Sequence, residues 1–142
     1  MKNHLKVMLS VSLLALLLSA CNSFKTDADA TKYAVGDWVG PEDVGGMTIW
    51  DKVTFKSDGS FDRYSSNSKN NWAKPFSSGN WKVVSKNRPS DNKLVFLVLL
   101  DWQSQFGHEY SAWPFVEGNK LRVVYNNEVD RKNQVGPLLS KQ

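Results

Sequence analysis

The chain has 142 residues, with 18 basic and 14 acidic side chains, six tryptophans and a single cysteine. One cysteine excludes a disulfide framework and a thiolate zinc site. The basic residues are scattered rather than clustered, so the sequence carries no electrostatic footprint for nucleic acid.

Lys2 and Lys6 precede an apolar run over residues 7–18 that is interrupted only by Ser10 and Ser12. A basic start, a short apolar core and small residues after it are the parts of a secretory signal peptide. The run is too short to span a hydrocarbon core of about 30 Å, which takes about 20 apolar residues as a helix. The quartet Leu18-Ser19-Ala20-Cys21 resembles the lipobox of bacterial lipoproteins. The resemblance implies cleavage after residue 20, a diacylglycerol on the Cys21 thiol and acylation of the new amino terminus. Two or more acyl chains are what stable membrane anchoring needs. Asn22 rather than Asp follows the cysteine, which in lipoproteins of the enterobacterial type implies transfer to the outer membrane. Loss of residues 1–20 removes Lys2 and Lys6 and no acid, leaving the mature chain only weakly basic.

Residues 21–32 are polar and small apart from Phe24 and are expected to form a flexible tether, because they hold too little apolar surface to fold. The domain is expected over residues 33–126, beginning with a short strand at 33–39. Residues 48–56 alternate, with Ile49, Val53 and Phe55 on one face and Asp51 interrupting it. Ser57-Asp58-Gly59 closes a hairpin. With Gly59 left-handed in a three-residue loop, Phe55 stands opposite Phe61 and both aromatics share a face; a slip of one residue would separate them.

A polar loop over 67–78 carries Trp72 and Phe76, and a strand follows at 79–86 with Trp81 and Val83 facing together. Residues 94–100, LVFLVLL, are apolar without alternation, so both faces of that strand are expected to be covered. Residues 102–115 are less regular; they include His108, and Pro114 argues for a strand end or an edge there. A two-residue Gly118-Asn119 turn sets Glu117 opposite Lys120. Leu121, Val123 and Tyr125 share a face of the last clear strand, and residues 127–142 are expected to be a tail.

Strands at short intervals, joined mainly by hairpins, predict an all-β fold: a small antiparallel up-and-down barrel of about 7–8 strands. Gly36-Asp37-Trp38 resembles the Gly-X-Trp signature of lipocalins and the wider calycin barrels. The stretches Phe55 to Phe61 and Gly79-Asn80-Trp81-Lys82-Val83 are similar to recurrent hairpins of bacterial lipocalin-like domains. The resemblance implies that Gly36 and Trp38 close one end of the barrel, that Arg122 stacks on the Trp38 ring, and that a ligand would sit toward the other end.

Neither a nucleophile elbow nor a phosphate-cradling glycine loop is present. His108-Glu109 is the only His–acid neighbour after residue 20, and a solvated histidine is the expected reading. No catalytic residue, metal or cofactor is therefore expected, and the chain reads as a non-enzyme. Two expectations for function remain. The barrel binds a small apolar or amphipathic ligand, or it is a solid module docking an envelope protein as accessory factor, inhibitor or immunity protein. Trp50, Trp72, Trp102 and Trp113 are the contact candidates in either case. A void of several hundred Å³ separates the two. For the anchor, Cys21→Ser is expected to abolish incorporation of labelled palmitate and leave an uncleaved or soluble chain; labelling that survives the substitution contradicts the lipobox reading.

Overall fold

The computed structural model describes residues 24–116, 119–127 and 132–142. The expected signal peptide and lipidated Cys21 lie outside the described residues. A helix, α1 (Asp27–Ala34), leads into eight strands: β1 (Gly36–Val44), β2 (Met47–Phe55), β3 (Ser60–Ser66), β4 (Ser77–Asn87), β5 (Leu94–Ser104), β6 (Gly107–Val116), β7 (Lys120–Asn127) and β8 (Lys132–Lys141). Each strand pairs antiparallel with the next, and β8 returns to β1. The result is the expected up-and-down barrel, closed on itself through short β6–β7 and β8–β1 seams.

Alternation along each strand sorts the side chains. Trp38, Val53, Phe55, Phe61, Val83, Val98, Leu100, Trp113, Leu121, Val123 and Leu139 point inward and fill the half of the barrel nearest α1. The β2–β3 hairpin has the expected register. Phe55 is opposite Phe61, Lys56 N donates to Ser60 O at 2.9 Å, and Gly59 has φ +85°, a region costly for a residue with a Cβ.

Several expectations are corrected. Residues 27–32 are not tether and 33–34 are not strand, because both lie in α1. Thr26 caps the helix by accepting from Asp29 N at 3.1 Å, and Asp27 and Asp29 sit in its first turn, where carboxylates oppose the helix dipole favourably. Ala30 and Ala34 are fully buried, while Phe24 packs on Phe96 and Phe115. The segment expected to be solvated therefore stoppers the barrel.

Residues 132–141 are likewise not a tail but β8, whose Leu139 faces the core. Gly136 and Pro137 lie in a bulge between the Arg122–Leu138 and Val124–Val135 pairs, a strand position that suits a proline. At the next turn Val116 rather than Glu117 stands opposite Lys120, with Asn119 at φ +56°. The outer side of β5 is only partly covered: Leu97 is buried between Val84 and Pro114, but Val95 and Leu99 are half-buried.

Trp38 lies at the stoppered end with no exposed surface. Its indole N–H donates to Ala34 O at 2.7 Å, satisfying a carbonyl that the end of α1 leaves free, and Tyr33 and Phe115 pack on the ring. Gly36 enters β1 at φ +123°. Arg122 does not stack on Trp38. It shares neither the face of Leu121 nor that of Val123, and its Nη1 donates instead to Gly136 O at 3.1 Å. Gly40 lets β8 cross close to β1, since a Cβ there would lie 2.2 Å from Leu138 O. Trp38→Ala is expected to cost about 3–5 kcal/mol, a large part of the roughly 5–15 kcal/mol that holds a small domain. Arg122→Ala is expected to cost under about 1.5 kcal/mol, and thermal melts of both variants check the contrast.

Candidate functional site

The other half of the barrel is not filled. Above Val53 and Trp113 the inward positions change character, and Glu42, Asp51, Arg63, Glu109, Ser111 and Tyr125 take the place of aliphatic side chains. They line an open cup of about 850 Å³. Its walls and mouth add Val44, Ile49, Phe76, Trp102 and Phe106. Three of these are well exposed at the rim: Val44 at 48%, Phe76 at 59% and Phe106 at 84%.

Charge sits on the floor. Asp51 and Arg63 are both buried. Arg63 is paired directly across from Val53, which places its guanidinium on the diagonal from Asp51, with Nη2 3.8 Å from Oδ2. The rings of Phe76, Trp113 and Tyr125 stand 5.1, 5.0 and 5.2 Å from the guanidinium carbon, close enough for cation–π attraction. The Tyr125 hydroxyl reaches across the barrel to Asp51 Oδ2 at 3.0 Å and Glu42 Oε2 at 3.1 Å. Burial, together with the negative charge of Asp51, pushes the Tyr125 phenol well above its ordinary value, so it stays a proton donor throughout the physiological range. Glu109 accepts from the Ser104 hydroxyl.

One seam of the wall is built by side chains. β6 and β7 pair only at Phe115–Leu121 and Val116–Lys120. Farther up, Ser111 Oγ donates to Val124 O at 2.6 Å, and the Trp113 indole N–H lies 2.9 Å from Ser111 Oγ and 3.1 Å from Val124 O. These bonds satisfy a carbonyl that the diverging ladder leaves unpaired.

The four contact tryptophans separate. Trp102 lines the cup, packed edge-on against Phe61 at 6.4 Å. Trp113 lies beneath the floor, buried, and holds Arg63. Trp50 and Trp72 are on the outside, with Lys69 over the Trp50 ring at 5.4 Å and Lys52 over the Trp72 ring at 5.8 Å. Gly36, Trp38 and Arg122 are not among the lining residues. Sequence reasoning missed Arg63 and Tyr125 as site residues, although the interruption at Asp51 was visible.

His108 is on the outer face of β6, hydrogen-bonded through Nε2 to Asp101 and through Nδ1 to the Tyr110 hydroxyl at 3.0 Å. No group of three or more His, Cys, Asp or Glu among the described residues is arranged to hold a metal ion. Comparison with known protein families, curated proteins and solved structures finds no match to this chain.

Proposed function

We propose that this protein is a membrane-anchored lipoprotein of the bacterial envelope whose lipocalin-like barrel binds a small amphipathic molecule in the cup, without catalysing a reaction. The observation that supports this reading is the half-empty interior. Its 850 Å³ falls in the range of ligand pockets, about 300–1,000 Å³. The alternative, a solid barrel used only as a docking module, calls for an interior filled along its length. Apolar walls beside a polar, hydrogen-bonding floor suit a molecule that is apolar along one part and polar at one end. The lipid anchor at Cys21 and an outer-membrane location rest on the lipobox resemblance alone.

The fluorescent apolar amine N-phenyl-1-naphthylamine tests the cup. Its emission is expected to rise on titration with the protein, and Trp102→Ala is expected to weaken binding about tenfold, ~1.4 kcal/mol. Trp50→Ala and Trp72→Ala on the outer wall are expected to leave it unchanged. No enhancement, or equal effects from the outer and inner tryptophans, contradicts the reading.

A further inference from the structure

Arg63 is 91% buried, as its 9% exposure shows, yet lines the cup. Its guanidinium has no hydrogen-bond acceptor among the described residues: Nε is without a partner, and the nearest carboxylate oxygen, on Asp51, is 3.8 Å from Nη2, beyond hydrogen-bond length. A buried charge is costly unless it is both paired and hydrogen-bonded. Three rings hold this one in place without accepting its protons in the plane. An oxyanion entering the cup would supply the missing acceptors, and a planar guanidinium binds such groups through two parallel bonds.

Beside it the shortage is reversed. The Tyr125 hydroxyl lies within hydrogen-bond distance of both Glu42 Oε2 and Asp51 Oδ2, but one hydroxyl carries one proton and can serve only one of them. The other carboxylate oxygen lacks that donor. A primary ammonium brings three. Because guanidinium and Asp51 carboxylate are only 3.8 Å apart, the complementary charges of a ligand must also be adjacent.

Building on the amphipathic-ligand reading, we infer that the cup takes a compact zwitterionic head at its floor, oxyanion on Arg63 and primary ammonium on Glu42 and Asp51. The apolar part of the ligand then runs upward along Ile49 and Trp102 to the exposed rim of Val44, Phe76 and Phe106. The molecule enters head first. A carboxylate and a phosphate share the oxyanion chemistry, so either an α-amino acid head or an aminoethyl phosphate head satisfies the floor.

Amphiphiles that each carry a linear ten-carbon chain test this on the full-length protein in one non-ionic detergent, read by quenching of tryptophan fluorescence. They are 2-aminodecanoic acid, decyl 2-aminoethyl phosphate, decanoate, decylamine and decanol. At least one zwitterion is expected to bind tenfold or more tighter than the three others, and the better of the two identifies the oxyanion. Arg63→Met is expected to erase the zwitterion's advantage over decylamine. Glu42→Gln, at the less buried edge of the floor, is expected to reduce its advantage over decanoate and keeps the test alive if the Arg63 variant does not fold. Equal binding of all five, or preference for a singly charged head, overturns the zwitterion while leaving a ligand cup. Binding of none of them, decanol included, overturns the cup itself and the zwitterion with it.

Discussion

The organisation of this barrel depends on one pair of buried charges halfway up its interior. Asp51 on β2 and Arg63 on β3 occupy positions that alternation assigns to the core, directly above Val53 and Phe61. From that level the apolar filling stops. A guanidinium and a carboxylate must be solvated, hydrogen-bonded or met by a ligand, and the interior above them is accordingly open and lined with hydroxyl, carboxylate and amide groups.

An open half needs a firm closed half. α1 and Phe24 supply it by covering the opposite end with Ala30, Tyr33 and Ala34, packed over Trp38 of β1, so the apolar core is sealed against water from below. The β7–β8 hairpin completes the cylinder with few ladder contacts. It has two bridging pairs to β6 and two to β1, supplemented by Ser111 and Trp113 bonding Val124 O. Tyr125 carries this hairpin's contribution to the floor by reaching Asp51 and Glu42 on β2 and β1. The same residue thus bonds the hairpin to the opposite wall and shapes the site.

Much of the barrel was legible because alternation is unforgiving. The Phe55–Phe61 register follows from keeping two aromatics on one face, and a slip of one residue inverts both. α1 was not legible from periodicity, since eight residues offer only Ala30 and Ala34 as an inward pair; the Thr26–Asp29 cap was the available signal. β8 was hidden by the Gly136-Pro137 bulge, which breaks alternation where the chain must bend. The site was half visible. Asp51 interrupts an apolar face, and Arg63 interrupts the face of Phe61 one strand away. Two such interruptions on paired strands mark a charge inside the barrel rather than a fault in the strand. Arg122 could have been placed by the same rule, because Leu121, Val123 and Tyr125 claim the inner face.

The central claim is that these mid-barrel charges serve binding rather than stability. The most direct measurement is the melting temperature of the Asp51→Val, Arg63→Met double variant, with and without the tighter-binding of 2-aminodecanoic acid and decyl 2-aminoethyl phosphate. Replacing a buried ion pair by apolar side chains of similar size is often neutral or stabilising. The account predicts an unliganded melting temperature equal to or above that of the natural chain, with the ligand-induced rise abolished. A melting temperature lowered by many degrees, or a ligand-induced rise that survives, would contradict it.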